Sequence, residues 1–190
     1  GCASLTGGVV IPNTVTLISD EAFKGCSKLD GTLTLSTTLT RIGRYAFTAL
    51  NFKGDLTIPD SVEVIDHDAF AGCSKLDGQL SLSKRLKTVN YNAFSGCSSL
   101  KGSIVIPGSL KKVEGSAFRD CVSLDGTLII EEGVEEIHGK AFYGCASLTG
   151  GVVIPNTVTL ISDEAFKGCS KLDGTLTLST TLTRIGRYAF

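Results

Sequence analysis

Methionine and tryptophan are both absent from the 190 residues, proline occurs four times and histidine twice. A chain without even a start methionine is expected to be an excised or mature segment, and it opens without a charged-then-apolar leader pattern. No run is long and apolar enough to cross a bilayer as a helix, so membrane insertion is not expected. Neither sign of charge dominates: 18 basic residues face 19 acidic ones, leaving no overall field to steer nucleic acid or an anionic membrane. Cys-x-x-Cys spacing is missing, and so are a Gly-x-Ser-x-Gly elbow and a clustered glycine loop for phosphate. The two histidines, His67 and His138, occupy different turn positions three units apart and cannot form one site. His67 between Asp66 and Asp68 reads as a solvated turn. These absences leave no catalytic constellation, no metal site and no cofactor, and the chain is not expected to be an enzyme.

What the chain does have is repetition. Residues 1–47 recur unchanged as 144–190, an offset of 143. A shorter period lies inside it. Ala-Phe occurs at Phe23, Phe47, Phe70, Phe94, Phe118, Phe142, Phe166 and Phe190, in steps of 24 with one of 23, and of nine phenylalanines only Phe52 falls outside. Cysteines follow three residues behind, at Cys26, Cys73, Cys97, Cys121, Cys145 and Cys169, with Cys2 in the same phase. The unit holding Leu50 lacks one and is the shortened one. Eight units are expected in a single solenoid domain: 1–24, 25–48, 49–71, 72–95, 96–119, 120–143, 144–167 and 168–190.

Within the unit 25–48, Leu33-Thr34-Leu35 alternates with period two, as a half-buried strand does, and a second apolar pair follows at Leu39 and Ile42. Arg44-Tyr45-Ala46-Phe47 is short, and one helical turn there would point the ring inward. Gly25 and Gly31, with Pro59 in the next unit, mark corners. No such unit buries its apolar side alone, but stacked units do, about 4.8 Å apart where parallel strands pair. Phe23, Phe47, Phe70, Phe94, Phe118, Phe142 and Phe166 then form one core column, and Cys26, Cys73, Cys97, Cys121 and Cys145 another. Side chains stacked pointing the same way suit disulfides poorly, so buried reduced thiols acting as small hydrophobes are expected.

Ile11 to Leu29, I-P-N-T-V-T-L-I-S-D-E-A-F-K-G-C-S-K-L, resembles the BspA-like leucine-rich repeats, whose motif runs strand, Ile-Pro, Val-x-x-Ile-Gly, Ala-Phe-x-Gly-Cys. The pattern is met throughout the chain. The resemblance implies a right-handed leucine-rich-repeat coil with a parallel β-sheet on one face and short helical turns or loops on the other. It also implies a surface or secreted location and adhesion to matrix proteins. Two departures stand out: an added glycine-containing step, as in Leu29-Asp30-Gly31-Thr32-Leu33, and replacement of Pro by Ser36, Ser83, Glu131 or Ser179 in alternate units, which suggests a private ligand face.

Pro12, Pro59, Pro107 and Pro155 mark odd units only, while one position reads Thr6, Asp30, Lys53, Asp77, Lys101, Asp125, Thr149, Asp173. That alternation is expected to form a ladder of opposite charges that helps fix register. Lys84, Arg85, Lys87, Lys111 and Lys112 are basic, but Glu63, Glu135 and Glu136 flank them, which reads as a charge-balanced solvated face. The outward column Val10, Thr34, Thr57, Ser81, Val105, Ile129, Val153 and Thr177 is the candidate partner face. The expected function is non-catalytic: an extracellular or cell-surface structural or adhesion protein, a window of a longer tandem array or fibre. The alternative is a scaffold that recognises one protein partner on its concave sheet face. Partners are then a matrix or surface protein, or other copies stacked end to end, since neither end carries a polar capping unit.

Overall fold

The computed structural model describes residues 2–190; Gly1, where the first unit is expected to begin, lies outside the described residues. The chain winds as a parallel β-solenoid, and each turn contributes two short strands because each unit holds two apolar pairs. The first series is β1 (Val9–Val10), β3 (Leu33–Thr34), β5 (Leu56–Thr57), β7 (Leu80–Ser81), β9 (Ile104–Ile106), β11 (Leu128–Ile130), β13 (Val152–Val153) and β15 (Leu176–Thr177). The second is β2 (Leu17–Ile18), β4 (Arg41–Ile42), β6 (Val64–Ile65), β8 (Thr88–Val89), β10 (Lys112–Val113), β12 (Glu136–Ile137), β14 (Leu160–Ile161) and β16 (Arg184–Ile185).

The two series behave differently. The second pairs into one parallel eight-stranded sheet, with about seven turns of coil between its end strands. Its register sets Leu17 beside Arg41, Arg41 beside Val64 and Val64 beside Thr88, and further on Glu136 beside Leu160 and Leu160 beside Arg184. The first series pairs only by twos, β1 with β3, β5 with β7, β9 with β11 and β13 with β15. One wall of the coil is therefore sealed and the other is split at every second turn.

A reciprocal set of contacts holds each two-turn module together. Gly7, Gly54, Gly102 and Gly150 have φ of 76–85°, and each backbone N–H donates to an aspartate of the following turn: Asp30, Asp77, Asp125 and Asp173, at 2.8–3.0 Å. The next glycine lies flush against the turn before it, so a Cβ on Gly31 or Gly78 would run into the backbone nitrogen of Gly8 or Asp55. At the other corner Asn13, Asp60 and Asn156 accept the N–H of Thr37, Lys84 and Thr180, each at 2.9 Å. Between β9 and β11 the direction reverses, and Gly108 N–H donates to Glu131. The expected Asp–Lys ladder is thus replaced by aspartate–amide bonds, and no ion pair joins its members among the described residues. The carboxyl of Asp77 lies below its ordinary range mainly through the Gly54 N–H, with Lys101 and Lys53 adding to it.

The expected helical turn at the Ala-Phe segment is not there: no helix occurs among the described residues. The residue before each Ala-Phe, or before Ala in the same phase, is left-handed. Glu21, Tyr45, Asp68, Asn92, Ser116, Lys140, Glu164 and Tyr188 all have φ of 53–61°, which a right-handed helix does not admit. The phenylalanine N–H then bonds to the next turn rather than to its own. Phe47 donates to Ala69 O and Phe70 to Ala93 O, both at 2.8 Å, and so on along the coil. These bonds make a third ladder, built from turns.

The core is a set of columns. Phe47, Phe70, Phe94, Phe118 and Phe142 are fully buried, Phe166 nearly so and Phe23 half-buried. Their rings stack nearly parallel with centroids 5.0–5.5 Å apart, a separation that slides each ring over its neighbour in the favoured offset arrangement. In the shortened unit Leu50 occupies the cysteine column, while Phe52 takes the Leu29 column and meets Phe47 edge-on at 6.1 Å. Larger side chains there fill the space of the missing residue. Ser36, Ser83 and Ser179 are buried and face inward, so they belong to no ligand face. The Ser83 hydroxyl donates to Val62 O at 2.8 Å and accepts the Arg85 N–H.

Candidate binding surface

The candidate column Val10, Thr34, Thr57, Ser81, Val105, Ile129, Val153 and Thr177 is exposed throughout and stands on the split wall, not on the continuous sheet. Its aliphatic members are well out in solvent: Val10 is 75% exposed, Val153 61%, Ile129 48% and Val105 41%. The strand pattern explains this. Leu33, Leu56, Leu80, Ile104, Leu128 and Val152 point into the core, so their neighbours along the strand must point out.

Where two modules meet, β3 and β5, β7 and β9, and β11 and β13 form no strand ladder. One backbone bond crosses each seam just before the strands, Lys53 N–H to Gly31 O, Lys101 N–H to Gly78 O and Thr149 N–H to Gly126 O, at 2.9–3.0 Å, and a cleft lies beside it. The first, about 730 Å³, is lined by the Thr34, Thr57, Asp55, Asp60 and Ser61 side chains over Leu33, Leu35 and Pro59. The second, about 300 Å³, lies between Ser81 and Val105, with Lys84 and Glu131 at its rim. The third, about 210 Å³, is aliphatic and is formed by Ile129, Ile130 and Val153 with Thr127 and Gly151. The clefts use the same columns every second turn, and below the wall the buried hydroxyls of Ser61 and Ser109 have no hydrogen-bond partner.

The opposite wall spends its charges on itself. On the outer face of the eight-stranded sheet Arg41 meets Asp66 at 2.6 Å, and Asp66 also accepts from Asn90. Lys87 and Arg85 share Glu63, Lys111 pairs with Glu135, and Lys112 with Glu136. His138 lies between Glu136 at 2.7 Å and Glu114 at 3.2 Å. The Glu63 carboxyl is held low by the Lys87 ammonium, and that of Glu136 by hydrogen bonds from His138 and then Lys112. His67 stacks on Tyr91, with ring centroids 5.7 Å apart. This face is a network of internally matched charges, most of them solvent-exposed and worth little each.

Cys26, Cys73, Cys97, Cys121 and Cys145 are buried free thiols, and Cys169 is half-buried. Their hydrogen bonding was not legible in the sequence. Cys73 Sγ–H donates to Phe47 O at 2.9 Å, Cys97 to Phe70 O at 3.1 Å, and the pattern continues through Cys121, Cys145 and Cys169. Each of these carbonyls from Phe70 on also accepts the N–H of the cysteine in its own turn, so the thiol fills the second lone pair. Burial pushes the Cys73 thiol up to about 12 and Cys169 to about 11. Such thiols are inert at neutral pH.

A coil of parallel strands with columns of Leu, Ile, Phe and Cys inside, and with no helix among the described residues, is a leucine-rich-repeat solenoid. The chain belongs to the BspA type of leucine-rich repeat region: that family's model matches it in six copies over residues 1–125 and 135–190. The unmatched stretch contains the reversed Glu131 contact and Gly133, whose φ is 112°. Among solved structures, a leucine-rich repeat protein from Bacteroides ovatus is 28% identical with a TM-score of 0.56, over 95% of this chain and 57% of that one. A leucine-rich repeat protein from T. pallidum is 26% identical with a TM-score of 0.68, over 88% of this chain and 81% of that one. One from Eubacterium ventriosum, at 24% identity and a TM-score of 0.74 over 97% of this chain, shares the fold. The chain spans 57% and 45% of the Bacteroides and Eubacterium proteins. No curated protein matches it.

Proposed function

We propose that this chain is a non-catalytic binding region of a bacterial cell-surface protein, and that it adheres to an extracellular matrix or surface protein through the split wall. The observation that carries the reading is the row of exposed Val105, Ile129 and Val153 beside three seam clefts, on a wall whose strands pair only by twos. Exposed aliphatic side chains in a row mark an interaction surface more often than isolated ones do. The sheet wall, by contrast, pairs its charges internally and offers few free groups. Membership of the BspA type of leucine-rich repeats supports a surface role.

The test uses beads coated with the chain on a panel of immobilised matrix proteins. The triple variant V105D/I129D/V153D changes only exposed positions on the split wall, and K112S/R184S changes the sheet wall. The reading predicts at least a tenfold fall in retained beads for the first and little change for the second, with both variants keeping the β-type circular dichroism of the parent. Equal retention in all three, or loss only in the sheet-wall variant, overturns it.

A further inference from the structure

The three clefts are not alike, and their order along the axis carries information. The first holds two carboxylates, Asp55 and Asp60, with threonine hydroxyls, and no basic residue lines it. Each carboxylate spends one oxygen on a backbone N–H, of Gln79 at 2.8 Å and of Lys84 at 2.9 Å, which leaves the other oxygen free. The second cleft carries one charge of each sign, Lys84 and Glu131, and the third carries none. Read along the coil, the wall runs from acidic to balanced to aliphatic.

The spacing of the clefts is set by the modules. Neighbouring seams are two turns apart, and the continuous sheet on the opposite wall sets the rise per turn at ladder spacing, so the clefts repeat at about 10 Å. A flat β-strand laid along the wall would turn alternate residues to opposite sides and could not place every third side chain on the protein. A polyproline II chain has three residues per turn and rises about 9.3 Å in that turn, so residues i, i+3 and i+6 project from one side at nearly the cleft spacing. We infer that the split wall binds an extended peptide segment in polyproline II conformation, with a lysine or arginine in the Asp55/Asp60 cleft, a polar residue in the middle cleft and an aliphatic residue in the Ile129/Val153 cleft. This rests on the split wall being the binding surface, and it names the ligand class for that wall. The cation answers the net negative charge of a cleft that carries two carboxylates and no base, and the aliphatic anchor covers side chains now facing water. A polyproline II ligand also loses little conformational entropy on docking, because it is extended beforehand.

Synthetic proline-rich peptides with Lys, Gln and Val at positions one, four and seven test the inference by fluorescence anisotropy. Comparators replace Lys by Glu or set Lys and Val five residues apart instead of six. The chain variant D55N/D60N keeps both amide-accepting oxygens and removes the charge. The expected results are at least tenfold weaker binding of each comparator, a similar loss in D55N/D60N, and a fall in affinity with added salt. Amide shifts in NMR should map to Thr34, Thr57, Val105 and Val153. Indifference to anchor spacing, unchanged affinity in D55N/D60N, shifts confined to the sheet wall around Lys112 and Glu136, or no binding at all overturns the inference. If the peptides fail while beads still adhere in a V105D/I129D/V153D-sensitive way, the ligand class falls and the binding wall stands.

Discussion

The cysteine column shows how much one atom does in a stacked fold. A buried thiol packs as a small hydrophobe, but here its S–H also reaches the phenylalanine carbonyl one turn back, where alanine would leave a lone pair unanswered. Leu50 stands in the same column at the shortened turn, so bulk can replace the thiol once. In the folded chain burial raises these thiols well above the ordinary value of 9.0, to about 12 for Cys73. Above pH 9 the unfolded chain therefore loses protons that the folded one keeps, and stability that is fully present below that pH declines as the pH rises toward 12. The loss is about 1.4 kcal/mol per pH unit for each thiol. Urea midpoints measured at pH 8 and pH 10.5 should fall steeply for the parent and less for a Cys97→Val, Cys121→Val variant. In the native state at pH 8, Cys97 and Cys121 should resist alkylation, and rapid labelling would mean that the column is open to water.

At the scale of the element, two features of the strands and turns decide the surface, and they differ in how far the sequence discloses them. The stacked parallel strands are legible in Leu33-Thr34-Leu35 and its repeats, because side chains that alternate in a strand leave a period of two, and the family is legible in the Ala-Phe-x-Gly-Cys phrase. Which series of strands forms the continuous sheet is not legible. Both apolar pairs look alike, and the split follows which backbone N–H groups Asp30 and Asn13 accept from across turns, those of Gly7 and Thr37. The left-handed Tyr45 and Lys140 are equally hidden, since neither residue type announces positive φ as glycine does and as asparagine and aspartate do more weakly. The candidate column of outward residues could be listed from the strand period, but the clefts beside it depend on the seams. On the sheet wall, the lowered Glu136 carboxyl makes a pH test possible. Its contribution is present above the unfolded value near 4.5 and is lost as pH falls through the folded one. With the group about one quarter exposed, the effect stays below about 1 kcal/mol. The drop in urea midpoint between pH 6 and pH 3.5 should be smaller in Glu136→Gln than in the parent; an unchanged drop would mean that His138 and Lys112 lend this carboxylate nothing in solution.

For the whole molecule, the consequence of paired turns is a parity rule. In a uniform solenoid each turn meets equivalent neighbours, so removing more turns removes more nearest-neighbour interfaces and lowers stability further. Here the interfaces alternate in kind. Deleting residues 96–143 takes out the module of β9 to β12 and joins the turn holding Asp77 to the turn holding Gly150, which restores a seam of the same type as those already present. Deleting only residues 96–119 sets the turn of Asp77 directly against that of Asp125. The β9–β11 ladder is then lost, along with the Asp125–Gly102 and Glu131–Gly108 bonds, and two aspartates of like charge meet at one corner. Each lost hydrogen bond to a charged group costs about 1.5–3 kcal/mol, and like charges on adjacent strands add to that. The shorter deletion should therefore be the more damaging one, with a lower urea midpoint and a broader transition than the chain lacking both turns, even though it keeps 24 more residues. Equilibrium unfolding of the two deletion variants beside the parent decides the matter. If stability simply rises with the number of turns retained, the two-turn module has no energetic meaning and the coil is uniform.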